Sequence, residues 1–350
     1  MRKTDLRELI DIEFPIIQAP MAGVQDSALA ISVANAGGLG SLPCAMLSVD
    51  VMRKELATIR SKTSKPFNVN FFCHTPPSPD GEREVAWRRS LAPYYQEFGL
   101  DPTAIPQNAS RMPFSAEVAE TLSDFKPPVV SFHFGLPSSE LLARVRSWGS
   151  KVLASATTLD EARWLEARGV DAIIAQGIEA GGHRGMFLSD DLTTQVGTLA
   201  LVPQIVDAVG VPVIAAGGIA DAKGVSAALS LGAVAAQVGT AFLLCPEATT
   251  SKVHREALRS DAACHTALTN VFTGRPARGI VNRIIREIGP MNPAAPQFPL
   301  AASALTPLRA KVEGIGLGDF SPLWAGQNVS GCKEISAADL VRALAAGVRS

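Results

Sequence analysis

The first candidate for acid–base chemistry in this 350-residue chain is His183, set among small residues in Glu179-Ala-Gly-Gly-His-Arg-Gly185. Histidine exchanges a proton near neutral pH and can act as a general base. Neighbouring glycines, Gly181 among them, leave room for a flat ligand to approach. The plainer reading is an exposed loop histidine with Arg184 as a solvated charge. A second group comprises polar residues at the ends of apolar runs: Gln18, Asn70, His133, Gln176 and Gln237. Burying such groups costs free energy unless a partner is supplied. One alone reads as a satisfied core group; five in equivalent places point to a ligand. Amides both donate and accept, which suits the alternating carbonyls and ring nitrogens along an isoalloxazine edge. A third signal is Ala215-Ala-Gly-Gly-Ile-Ala-Asp221, followed by Gln237-Val-Gly-Thr240. Gly217, Gly218 and Gly239 lack a Cβ, so backbone N–H groups there can approach an anion closely. A lone Gly-Gly would be only a tight turn, but with Gly-Thr one unit later the pair reads as a phosphate site.

The remaining reactive residues are read more plainly. His74 beside Cys73 is no metal pair, because adjacent residues at a strand end point opposite ways; it lines a pocket or caps a loop. His254 and His265 read as surface groups, Cys245 as packing, and no Ser-His-Asp or Cys-His arrangement can be placed.

Elements able to hold these residues recur along the chain. Apolar, nearly continuous runs at 16–19, 39–42, 67–72, 129–134, 152–155, 172–176, 213–216 and 235–238 read as parallel strands buried on both faces. Amphipathic helices are expected at 27–36, 49–61, 138–148, 158–167, 196–209 and 222–231, with a last one at 336–348. Thr158 with Glu161 suggests a capping box, and glycines at 37, 169 and 232 suggest left-handed helix ends. Eight alternations point to an α/β fold of the TIM-type, a closed (β/α)8 barrel over residues 1–350 as one domain. Residues 73–126 read as an irregular insertion after strand three, and 246–331 as a lid-like segment after strand eight. Both start at strand C-termini, where barrels build active sites.

Composition excludes other classes. Net charge is −1, from 32 basic and 33 acidic residues, so no nucleic-acid partner is expected. Apolar stretches break before about 18 residues, and the charged first ten residues lack a signal-peptide core, so no membrane partner is expected either. Five scattered cysteines argue for a reducing cytoplasm rather than a disulfide framework or a zinc site.

Taken together, the motifs Gln18-Ala-Pro-Met-Ala-Gly23, Asn35-Ala-Gly-Gly-Leu-Gly40, Pro66-Phe-Asn-Val-Asn-Phe-Phe-Cys-His74, Ser131-Phe-His-Phe-Gly-Leu-Pro137, Ala175 through Gly185, Ala215 through Asp221, and Gly239 through Glu247 resemble nitronate monooxygenase, formerly 2-nitropropane dioxygenase, class I. The resemblance runs in the same order over nearly the whole chain. It implies non-covalent FMN, with phosphate on Gly217, Gly218, Gly239 and Thr240. Ring contacts would come from Ala19, Pro20, Met21, Asn70, Gln176, Gly181 and Gln237, and the catalytic residue would be His183. His133 and Phe298 would line the substrate pocket. It further implies oxidation of alkyl nitronates by O2 to a carbonyl compound and nitrite, with His183 deprotonating neutral nitroalkanes; the chain could pair as a homodimer. One departure is the segment Gln297 to Pro307, which lacks the tyrosines and lysine common in class I relatives; the chain's only tyrosines are Tyr94 and Tyr95. A more apolar or differently shaped substrate than propionate-3-nitronate is therefore expected. The rival readings are an NAD(P)H-dependent FMN reductase of a quinone or enoyl thioester, a flavin-binding protein without turnover, and a barrel for another phosphate ligand.

Overall fold

Eight strands carry the architecture, each short and almost wholly buried. They are β1 (Ile16–Gln18), β2 (Gly40–Pro43), β3 (Phe67–Phe72), β4 (Val129–His133), β5 (Lys151–Ala156), β6 (Ala172–Gln176), β7 (Val213–Ala216) and β8 (Ala235–Val238). The computed structural model describes residues 5–105 and 111–348; the first four residues of the charged N-terminal stretch lie outside these. Each strand pairs in parallel with the next, from β2 round to β8, and β8 pairs with β1. An Ile17–Leu39 bridge joins β1 to the β2 side and closes the barrel. All eight apolar runs are thus strands, placed within two residues of the sequence reading.

Inward residues Ile17, Leu39, Val129, Leu153, Ala172, Ile174 and Ile214 fill the barrel, joined by Leu6 and Ile10 from the N-terminal helix Leu6–Ile10 and by Ile12 just after it. Outward residues such as Val69, Val130, Val152, Ile173 and Val213 meet the surrounding helices. Gly37, Gly169 and Gly232 all have positive φ where the preceding helices end. The final helix, Ala337–Ala345, packs on Ser27–Asn35 and Ala222–Ser230.

Among its described residues the segment 73–126, read as an irregular insertion, holds two helices that the sequence reading did not place. Gly81–Glu97 is a 17-residue helix and Ala116–Ser123 is the barrel helix between β3 and β4. Pro93 inside the first helix and its dense charge hide the apolar period; the buried face (Trp87, Leu91, Tyr94, Tyr95) packs on the helix Ala301–Glu313 and on Phe320. Trp87 donates to the Ala301 carbonyl at 3.2 Å and Tyr95 to that of Ala304 at 2.6 Å. Residues 246–331 supply that second helix together with strands Thr266–Thr269 and Ala277–Ile280. Those strands form a three-stranded antiparallel sheet with Gly182–His183. Among the described residues, no helix is long and apolar enough to cross a membrane, and no cluster of three or more metal-ligating side chains occurs.

Candidate active site

The strand C-termini open into one cavity, and almost every candidate residue lines it. Ala19, Pro20 and Met21 follow β1; Asn70 and Phe72 come from β3, His133 from β4, and Gln176 from β6. Gly181 and His183 come from the loop after β6, Gly217 and Gly218 from the end of β7, and Gln237, Gly239 and Thr240 from β8. Phe298 stands behind His183, ring centroids 5.2 Å apart. Phe72 and Phe134 complete this aromatic wall.

The polar strand ends do not share one role. Gln18 is fully buried and bonded to Gln25 and to the Ser41 amide, 2.7 and 2.9 Å, so it ties the barrel seam. Gln176 spends both ends on the next loop: its Nε2 donates to the His183 carbonyl at 3.0 Å and its Oε1 accepts from Gly185 at 2.8 Å. Asn70 donates to Ser131 Oγ at 2.9 Å. Gln237 differs, because its buried Oε1 has no partner among the described residues. An orphaned acceptor lining a cavity calls for a ligand donor, and the N–H of a flavin ring edge is one.

The glycine turns also fit. Gly217 and Gly218 have φ of +111° and +73°, a region costly for residues with a Cβ. Gly239 starts a 3₁₀ turn, Thr240–Leu244, that has no side-chain cap, so its first amides are not consumed by the protein's own side chains. Gly181 has a further constraint: a Cβ there would stand 2.6 Å from the Ala325–Gly326 backbone.

His183 sits on its short strand with Nε2 2.9 Å from Thr273 Oγ1. The ring touches the cavity on one side and is enclosed elsewhere. Burial holds its pKa well below the ordinary imidazole value, and Arg111, His133, Arg275 and His74 push the same way. His133 holds that loop too, with Nδ1 3.0 Å from Ser155 Oγ and Nε2 3.2 Å from the His183 carbonyl.

Several residues around the site are placed differently from their sequence reading, and Arg111 carried no sequence signal. Arg184 is not a solvated charge; it is fully buried and donates to Gln195, Gly177 and Gln176 at 3.0, 2.6 and 2.7 Å. His254 is not on the surface; it is buried against the Trp324 carbonyl at 3.1 Å. Glu161 forms only half of the expected capping box. Its amide donates to Thr158 Oγ1, but its carboxylate takes Thr157, Phe187 and Leu188. Arg111 enters the cavity wall because the Phe114 amide bonds the Phe72 carbonyl at 2.8 Å, drawing the segment back to β3. None of residues 297–307 is among those lining the cavity, whereas Arg111 is and brings a cation to it, which alters the expectation of an apolar pocket.

Burial pushes His74, His133 and His254 down to about 4 and holds His183 well below its ordinary value. The folded-state values lie below that of a free imidazole, near 6.5, so the unfolded chain binds protons that the native state refuses. Stability contributed by keeping these rings neutral is complete above that value and declines as pH falls toward 4. The guanidinium unfolding midpoint should therefore drop between pH 7.5 and 4.5, mostly below 6.5. The decline should be shallower in His254→Gln, which keeps a donor for Trp324; an equally steep decline would contradict this assignment.

A family model described as Nitronate monooxygenase matches residues 3–347. A nitronate monooxygenase of Pseudomonas aeruginosa is 43% identical over 344 residues, covering 97% of this chain and 98% of that one. The crystal structure of a nitroalkane oxidase from Streptomyces ansochromogenes superposes with a TM-score of 0.89 at 40% identity, covering 98% of this chain and 97% of the other. FabK from Thermotoga maritima is more distant, with a TM-score of 0.72 at 29% identity over 98% of this chain and 95% of its own.

Proposed function

This chain belongs to the nitronate monooxygenase family of flavin-dependent oxidoreductases, and from that premise we propose that it binds FMN and oxidises alkyl nitronates with O2 to carbonyl compounds and nitrite. The observation that carries the reading is the convergence of the unpartnered Gln237 Oε1, the glycine turns and His183 on one cavity. Gly217, Gly218, Gly239 and Thr240 would hold the phosphate. Gln237 and Asn70 would meet the ring edge, and the loop 19–21 would lie against the ring. When bound, the flavin supplies the electron-accepting chemistry.

The protein's own contribution is positioning and charge. Arg111 and Arg275 set a positive field around His183, which favours an anionic nitronate over a neutral nitroalkane. Neutral imidazole at His183 can take the α-proton of a nitroalkane; a bound anion then stabilises the resulting imidazolium. Phe72 lines the cavity and Phe134 and Phe298 back it, an apolar layer that would exclude water from the reacting carbon.

Purified protein should be yellow, release a flavin on heating whose mass is that of FMN, and produce nitrite from ethyl nitronate in air. Rapid bleaching by NADH without oxygen, with no nitrite formed, would instead support the reductase chemistry of the rival reading. A colourless protein would end both.

A further inference from the structure

The glycine turns at the phosphate end of the cavity have no cationic side chain beside them. Among the described residues lining the cavity, Arg111 is the sole lysine or arginine, and it stands over Phe298, 5.8 Å from the ring centroid. Glu179 lies next to Gly218 instead, its carboxylate spent on the Thr198 amide and hydroxyl at 2.9 Å. A phosphate on these turns is therefore held by neutral N–H and O–H donors. A segment well beyond β8 shapes that donor set. The Gly326 amide donates to Thr240 Oγ1 at 2.9 Å, which leaves the threonine proton for an anion. Cys332 Sγ donates to the Thr240 carbonyl at 3.1 Å, and the Gln327 amide to the Glu179 carbonyl at 2.9 Å. Gly331 packs so closely that a Cβ would stand 2.1 Å from the Ala220 carbonyl oxygen. Between these anchors Asn328 lines the cavity and donates from Nδ2 to the Gly218 carbonyl at 3.0 Å. Its Oδ1 accepts from the Ser330 amide and hydroxyl at 3.2 and 2.7 Å. The Gly218 carbonyl can only accept and the Ser330 amide can only donate, so chemistry fixes which way the Asn328 amide faces. Nδ2 carries two hydrogens, and the second has no partner among the described residues.

We propose that Asn328 is a further phosphate-binding residue: its free Nδ2 hydrogen bonds a phosphate oxygen of FMN and helps the protein take FMN in preference to unphosphorylated riboflavin. This rests on the FMN-binding reading above and not on the nitronate chemistry. The test titrates the full chain, freed of flavin, with FMN and with riboflavin, and reads the change in flavin fluorescence. Wild-type protein should bind FMN at least about a hundredfold more tightly than riboflavin, as several hydrogen bonds to an ion allow. Asn328→Ala should weaken FMN binding about tenfold and leave riboflavin within about twofold, so that riboflavin also reports an intact cavity. Asn328→Asp keeps the shape and the Ser330 bonds but sets a carboxylate against the phosphate. Its FMN-to-riboflavin ratio should fall about a hundredfold. Equal weakening of both flavins by Asn328→Ala would mean that the residue only holds its segment in place, and would overturn the proposal. So would an unchanged FMN affinity. A wild type that bound both flavins equally would remove the phosphate assignment of the glycine turns as well. One that bound neither would end the FMN reading itself, and this proposal with it.

Discussion

His183→Asn should lower kcat/KM for neutral nitroethane by about a thousandfold, within the usual range for loss of a general base. For ethyl nitronate, already ionised, the fall should be only about tenfold. The difference follows from charge. A neutral nitroalkane must lose its α-proton before it can be oxidised, and among the histidines lining the cavity His183 is the one on the short strand after β6. His133 has both ring nitrogens bonded to the protein. A preformed nitronate needs no base and draws on Arg111 and Arg275 for its attraction. Burial and those same cations hold the His183 pKa down, so the free enzyme keeps its imidazole neutral well below the ordinary value. Wild-type kcat/KM on nitroethane should thus stay level as pH falls from 7.5 through 6.5, where an exposed histidine base would lose half its active form. Steady-state oxygen consumption with both substrates across that range checks the claim. If the asparagine variant handled nitroethane within a few-fold of wild type, His183 would not be the base.

The barrel was legible because parallel strands buried on both faces leave apolar runs that no other local structure needs. Gly37, Gly169 and Gly232 marked helix ends because positive φ admits few other residues. The cavity's glycines were legible for the same steric reason. The roles of polar side chains were not. Gln18, Gln176 and Gln237 look alike at strand ends, yet the first seals the barrel, the second grips a loop, and the third has an unpartnered oxygen. What separates them is the partner each meets, and those partners lie 7 to 23 residues away in Gln25, His183 and Ser41. Arg111 was invisible on the same grounds. It precedes no motif, and only the return of Phe114 to β3 brings it to the cavity.

Arg184 is the largest case of that kind, and its replacement should be the most damaging single change to the loop that carries the base. Arg184→Met should cost about 4 kcal/mol of stability and lower kcat on nitroethane about a hundredfold even where the protein remains folded. The guanidinium is fully buried and reaches the carbonyls of Gln176 and Gly177 and the amide oxygen of Gln195, while Gln195 bonds Thr157, which in turn meets Glu161. Glu161 takes the amides of Phe187 and Leu188 on the far side of the loop. Residues 184 to 188 are therefore pinned from two directions, and His183 sits at the first pin. Burial draws the Arg184 pKa down to about 10, which still leaves it charged at neutral pH. Methionine fills much of the volume but donates nothing, so two buried carbonyls and an amide oxygen lose charge-assisted bonds worth roughly 1.5–3 kcal/mol each, in part replaced by relaxation. An ammonium cannot span three acceptors in this fork geometry, so Arg184→Lys should recover less than half of the loss. Denaturant unfolding gives the stability. A kcat loss on nitroethane exceeding that on ethyl nitronate separates misplacement of His183 from general weakening. Equal losses on both substrates would show that Arg184 supports the fold without positioning the base.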